Sequence, residues 1–276
     1  MLSRRVYEQS IKQRIPTVGL HLIATNRYVQ FLPKMLETAD KYFFPTLNRH
    51  IIIYTDNLSL RLVSDRYRTI QFHIIPIPHE GWPHVTLKRF HYFSMFNEPL
   101  DYSFYCDVDS AFINPINVNL LSNELLGTMH PGFVYVNDEL IVKGLKGTVC
   151  TNEASTAYIP LDENQVYFCG GFFGGPHSKF MQLTAELKQR IQRDMDNNVM
   201  ADWHDESHLN WYFWKNPPRV LEFPFAMHEP LVPLYANQCC IVFLDKTIRG
   251  GHEEFRKNTP PPGQMFKFTG LGFKRY

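Results

Sequence analysis

Two aspartates one residue apart, Asp107 and Asp109, stand where the apolar run of "FYCDVDSAFI" ends. Carboxylates are disfavoured inside a sheet unless something pairs with them. Side chains at i and i+2 of a strand share a face, so both can aim at one object. An oxygen-only pair suits a hard divalent cation. Two carboxylates cannot saturate such an ion, and diphosphate oxygens commonly complete its shell, where the ion neutralises charge building on them. The pair therefore predicts a metal-bound diphosphate substrate. Read alone, the same tripeptide is an acidic turn in which Asp109 or Ser110 caps the next element.

A second group is "WHDESHLN", Trp203 to Asn210, which crowds His204, Asp205, Glu206 and His208 into one helical turn. His204 and His208 have the i, i+4 spacing of a zinc hydrolase. That motif needs Glu directly after the first His, and here Asp205 follows; the reversed pattern fails at Ser207. Acids at a helix N-terminus also complement its dipole. A third group is "CGGFFGG", whose paired glycines are costly in a strand unless a ligand or another backbone approaches closely. Their spacing is not that of a dinucleotide-binding turn. Lys88 and Arg89 are candidates for a phosphate or for a carboxylate of the metal site.

The elements that must position these residues alternate. "TVGLHLIAT" (17–25), "HIIIYTD" (50–56) and "FHIIPIP" (72–78) read as buried strands. Val29, Leu32, Leu36, Ala39 and Phe43 fall at helical spacing between the first two, with Pro33 tolerated in a first turn. "HVTLKRFHYFSMF" (84–96) reads as one helix leading into "FYCDVD". The glycine-paired run (167–175) precedes a helix over 176–198 with Leu183, Leu187, Ile191 and Met195 as its buried stripe. The alternation predicts a parallel, doubly wound α/β sheet, whose ligands gather at strand carboxyl ends.

The chain has 276 residues, 44% of them apolar and 14% aromatic, enough for a full core. A net charge of +1 gives no global field for nucleic acid or an anionic membrane. Five cysteines in no metal-binding spacing fit reduced thiols in the cytoplasm. The charged N-terminus lacks a signal-peptide core, and no apolar run reaches the ~18–20 residues that cross a bilayer. A soluble protein without a transmembrane segment is expected.

Five stretches, "LIATNRYVQFLPKMLETADKYF", "YCDVDSAFINPI", "LLGTMHPGF", "AYIPLDENQVYFCGGFFGG" and "ADWHDESHLNWYF", resemble glycosyltransferase family 6 and occur in that family's order. The family includes the histo-blood-group A and B transferases and the α-1,3-galactosyltransferases. The resemblance implies a GT-A fold, a single Rossmann-like unit with fused donor and acceptor halves. It implies retaining transfer of GalNAc or Gal from a UDP-sugar donor, in α-1,3 linkage, to a β-galactoside oligosaccharide acceptor, with Mn2+ or another divalent cation as cofactor.

By position, Ile23, Ala24, Thr25 and Tyr28 would line the uridine pocket, with Val108 at the ribose. Asp107 and Asp109 would hold the metal. Arg89 would lie beside the donor sugar and Asp107. Cys169, Gly170 and Gly171 would select that sugar, with His204 and Asp205 around it. His130 and Trp203 would meet the acceptor. Glu206 would be the nucleophile, or the group that stabilises an oxocarbenium-like state and orients the acceptor. Lys246, and with it Arg249 or Arg256, would close a basic tail over the diphosphate.

The implied organisation is an N-terminal extension (1–16), a glycosyltransferase domain (17–244) and a Gly/Pro-rich tail (245–276). That tail carries seven Lys or Arg against three Asp or Glu. The chain resembles bacterial or phage members but keeps D-x-D where many of those carry N-x-N. The stretch 134–156 has no family counterpart, and His228 replaces an acid that mammalian relatives place at the acceptor. The other classes of function are a UDP-sugar or glycan-binding protein without catalysis and a zinc metallohydrolase.

Overall fold

The computed structural model describes residues 14–60, 67, 69–136, 140–142, 149–160, 166–256, 267–269 and 272–274. The N-terminal extension up to residue 13, the positions 137–139 and 143–148 of the unmatched stretch, and most of the tail beyond 256 lie outside these.

Strand β1 (Thr17–Ile23) leads through a 3-10 turn (Asn26–Phe31) into helix α1 (Leu32–Tyr42). Pro33 sits in its first turn, where a missing N–H removes no helical bond. Leu32, Met35, Leu36 and Ala39 form its buried face. Strands β2 (Asn48–Thr55) and β3 (Ile70–Pro76) come next.

The expected helix over 84–96 is two short ones, α2 (His84–Leu87) and α3 (Arg89–Phe93). Lys88 leaves helical geometry between them, with ψ near 10°. The break separates two neighbouring cations. Lys88 turns to Glu80, while Arg89 enters the core.

Strand β4 (Tyr102–Cys106) is succeeded by β5 (Ser110–Phe112), β6 (Leu126–Met129) and a hairpin of β7 (Val134–Val136) and β8 (Leu140–Val142). Then come β9 (Phe168–Pro176), the long helix α4 (His177–Asp196) and α5 (His204–Lys215). The remainder holds β10 (Arg219–Leu221), β11 (Ala226–His228), a short helix α6 (Val232–Tyr235), β12 (Ile241–Phe243), α7 (His252–Arg256) and a last hairpin, β13 (Lys267–Thr269) with β14 (Gly272–Lys274).

Seven strands form the main sheet in the order β10-β6-β9-β4-β1-β2-β3. The sheet is not wholly parallel as expected. Strand β9 runs antiparallel between β4 and β6. A run buried on both faces reads the same in either direction, so periodicity could not reveal this. Gly174 belongs to that insertion: a Cβ there would meet the Ser103 carbonyl and the Phe104 backbone.

Both faces of the sheet are covered. One packs Leu32, Leu36, Phe104 and Phe172 under α1; the other packs Phe93, Phe173, Phe180 and Leu183 under α3, α4 and α5. The strand order reverses between β1 and β4, which makes a crevice at their carboxyl ends. A small sheet, β11-β12-β5, brings the chain back to that crevice, where the Leu244 N–H donates to the Asp109 carbonyl at 2.9 Å. Phe255 of α7 then packs against Tyr28 and Phe31, each 5.2 Å away between ring centroids. The architecture is a GT-A-like α/β fold with one central, mostly parallel sheet.

Candidate active site

Two adjoining cavities of about 390 and 350 Å³ open at the reversal point and share Asp107, Asp109, His130, Glu206, Lys246 and His252. Strand β4 ends at Cys106, so neither aspartate lies in the strand and alternation does not set their common direction. The tight turn into β5 does. Their partners differ. Asp107 accepts from the Tyr105 hydroxyl at 2.6 Å, and its N–H donates to the Gly171 carbonyl at 2.9 Å. Asp109 meets the Lys246 ammonium.

Arg89, only 5% exposed, is the hub of the larger cavity. Its Nη1 donates to the Gly170 carbonyl at 2.6 Å. Its Nε lies 2.8 Å from Asp205 Oδ2, an ion pair off the angle of a hydrogen bond. Nη2 is 3.9 Å from Asp107, and the guanidinium lies 4.5 Å from the centre of the Tyr105 ring. Burial disfavours its charge, but Asp205, Tyr105, Asp107 and Glu206 more than offset that and raise its pKa. The carboxyls respond in the other direction. Burial lifts Asp205 to about 7 against the pull of Arg89, and it raises Asp107 and Glu206 as well.

Glu206 is held at both oxygens. The Tyr167 hydroxyl donates to Oε1 and the Gly170 N–H to Oε2, each at 2.6 Å. The Nε2 of His130 stands 4.0 Å from Oε1. The Gly132 N–H donates to His130 Nδ1 at 3.0 Å, which leaves the proton on Nε2, facing Glu206. Burial pushes His130 down to about 4, so it is neutral at pH 7. His204 opens α5 with φ of 52°, a left-handed turn, and its ring meets Trp82 edge-on at 4.9 Å.

Among the residues named from sequence, Ile23, Thr25, Tyr28, Arg89, Val108, Gly170, Trp203, His204 and Asp205 line the larger cavity. Cys169 and Gly171 line the smaller one. Ala24 is fully buried and outside both linings; its N–H donates to the Tyr54 carbonyl at 2.8 Å. Arg249 turns away to Glu229, at 2.6 Å, while Arg256 covers Trp82, 4.1 Å from its ring centre. His204 and His208 do not converge on a zinc site. His208 is wholly buried, 3.5 Å from Asp194.

Sequence reasoning missed Tyr105, Tyr167, Trp82 and Phe243. Tyr105 could have been found, two residues before Asp107 on one strand. Nothing local marks Tyr167 as the residue that holds Glu206.

The fold and this acid-lined crevice define an α/β protein with a ligand site at the carboxyl ends of its central strands. The sequence profile of glycosyltransferase family 6 matches residues 2–231, and the chain belongs to that family. It is 32% identical over 237 residues to histo-blood group ABO system transferase 1 of Rattus norvegicus, covering 82% of this chain and 65% of the relative. It is 29% identical to globoside alpha-1,3-N-acetylgalactosaminyltransferase 1 of Homo sapiens, covering 84% of this chain and 67% of that one. O-antigen biosynthesis glycosyltransferase WbnI of Escherichia coli is 26% identical, over 77% of this chain and 88% of the relative. The chain thus spans about two thirds of the length of these mammalian relatives. Among the described residues, no helix is long and apolar enough to cross a membrane.

Proposed function

We propose that the protein is a retaining α-1,3-glycosyltransferase that moves GalNAc, with Gal as the second choice, from a UDP-sugar to a β-galactoside. The observation that carries this is the Glu206 carboxylate, held at both oxygens in a cleft it shares with Asp107, Asp109 and Arg89. The GalNAc preference rests on the name of the human relative and on the small Cys169–Gly170–Gly171 segment.

The donor set at the end of β4 fits a hard divalent cation. Its oxygens come from two carboxylates, and the ammonium of Lys246 already stands as a cation on one of them. Asp107 and Asp109 would hold Mn2+ there, and the ion would neutralise charge on the departing diphosphate. Lys246 and Arg256, both on the cavity lining, supply further positive charge to that group. Tyr28 and Val108, both on the cavity lining, would pack against the nucleoside.

In this reading Arg89 fixes Asp205 beside the transferred sugar. Glu206 faces its anomeric carbon. In a double displacement, a Glu206 oxygen bonds to that carbon as the bond to UDP breaks; the acceptor oxygen then bonds to the carbon as the Glu206 ester bond breaks, its proton passing to the diphosphate of the departed UDP. In a same-face reaction, Glu206 stabilises the cationic carbon while the acceptor enters, its proton passing to the departing UDP. A trapped glycosyl-peptide containing Glu206 separates the two.

The test is incubation with Mn2+, each UDP-sugar and a panel of β-galactosides, with the product linkage determined. An α-1,3-linked product from UDP-GalNAc is expected. UDP-sugar binding with neither transfer nor slow hydrolysis would replace the reading with a binding protein.

A further inference from the structure

Away from both cavities, three side chains with metal-ligating atoms meet on the outer part of the main sheet. His50 lies on β2 and His73 on β3, the edge strand; Glu98 lies in the loop after α3. Ile52 pairs with His73 across the two strands, so His50, two residues before Ile52, shares the face of His73. His50 Nδ1 and His73 Nε2 are 3.1 Å apart, with 13° between the ring planes. Glu98 Oε1 lies 3.3 Å from His73 Nδ1, and one ligand atom of each residue falls within 4.8 Å of the others.

We propose that His50, His73 and Glu98 form a binding site for a borderline divalent cation, best matched by Zn2+. Two imidazoles and one carboxylate are a donor set for zinc, whereas the oxygen pair Asp107 and Asp109 is one for a hard ion. Ligands of a tetrahedral zinc at ~2.0–2.1 Å stand about 3.3 Å apart, and with one atom from each residue already within 4.8 Å of the others, a small rotation of the exposed Glu98 side chain brings the set to that spacing. Phe96 packs edge-on against the His73 ring at 5.1 Å and limits its rotation. Glu98 is half-exposed, which gives the ion a path in and leaves a position for water. The ion would tie the free edge of the sheet to the loop that joins α3 to β4.

The experiment uses the whole chain, stripped with EDTA and dialysed, with Zn2+ alone as the probe. Binding is measured by competition with a chromogenic chelator, and stability by thermal unfolding. The parent should bind an equivalent of zinc with micromolar or tighter affinity and unfold several degrees higher with it. A double variant, Asp107→Asn with Asp109→Asn, should keep that equivalent. His50→Ala and His73→Ala should lose it, and Glu98→Gln, at an exposed position that folding tolerates, should weaken it tenfold or more. Co2+ in its place should give the visible bands of a site with mixed nitrogen and oxygen ligands. Loss of the zinc in the aspartate variant, or its full retention in Glu98→Gln and His73→Ala, would leave these residues a hydrogen-bonded cluster and overturn the site.

Discussion

The crevice has two sides built on different terms. On the body side, Arg89 is buried and held by the Gly170 carbonyl, Asp205 and the Tyr105 ring, and Glu206 is fixed at both oxygens. On the C-terminal side, Lys246 pairs with Asp109 and Arg256 lies over Trp82. The first side is a network whose members compensate one another in low dielectric, which is what holding charge through a reaction requires. The second consists of separate cations, Lys246 between Asp109 and the Tyr28 ring and Arg256 on Trp82, which do not contact a common carboxylate network. Phe255 anchors that side to the body, so a point variant probes it better than a truncation.

The largest expected effect falls where the two sides meet. Asp107→Asn and Asp109→Asn should each lower kcat/KM by about a thousandfold or more, since a metal's stabilisation of a leaving group is worth several kcal/mol. Chelator should abolish transfer and Mn2+ restore it. Full activity in excess EDTA would remove the metal from the account and leave Lys246 as the cation on Asp109.

On the body side, Glu206→Gln should cut kcat by about a thousandfold while UDP affinity stays near that of the parent, because a group acting in the transition state contributes little to donor binding. The two quantities come from steady-state kinetics and calorimetric titration of UDP. Normal turnover, or loss of UDP binding, would assign Glu206 to a different task.

Much of the body side is legible in the sequence. "WHDESHLN" and "YCDVD" carry their acids in plain view; the first opens α5, while the aspartates of the second lie in the turn after β4 and not in the strand. Arg89 could be named as a candidate but not placed, because the helix break at Lys88 that turns it inward leaves no sign in the apolar pattern. The direction of β9 was hidden for a related reason, since its residues are buried on both faces. The C-terminal side is the least legible. Composition marks 245–276 as basic, yet choosing Lys246 over Arg249 for the crevice depends on β12 pairing with β5, a contact between distant parts of the chain.

A stability comparison tests the contrast directly. Arg89→Ala leaves Asp205 and Glu206 buried without their compensating charge, which costs about 3–5 kcal/mol. Its unfolding midpoint should fall by about 10 °C. Lys246→Ala should move the midpoint by no more than about 2 °C, while raising the donor KM about tenfold through a lost charge-assisted contact. Equal shifts in the two variants would erase the distinction between the sides.

In the proposed function, donor choice rests on a smaller feature. A Cβ on Gly171 would lie 2.7 Å from Phe243 Cζ and 3.2 Å from Asp107 Oδ2, so the ring of the C-terminal side fills the space that the glycine leaves open. Gly171→Ala should shift the kcat/KM ratio toward UDP-Gal by about tenfold, since one methyl in a packed site is worth about 1–3 kcal/mol. Adding Phe243→Ala should return room and reverse the shift. A parent that prefers UDP-Gal tenfold or more would overturn the GalNAc assignment and leave family membership intact.

The smallest effect is a pH dependence at His130, on the boundary between the two sides. Burial holds its pKa at about 4 against an ordinary 6.5. Between these values the unfolded chain takes up a proton that the folded one refuses, so unfolding is favoured as the pH falls. The stability from this neutral imidazole is therefore complete above about pH 6.5 and is lost progressively toward pH 4. His130→Gln removes the titrating group and leaves Asp205, whose shift to about 7 has the opposite sign, common to both proteins. Midpoints measured from pH 4 to 8 should show a shallower acid slope in the variant than in the parent, and the two curves should run parallel above pH 7. Superimposable curves would mean that His130 reaches water freely and takes a proton as it does in the unfolded chain.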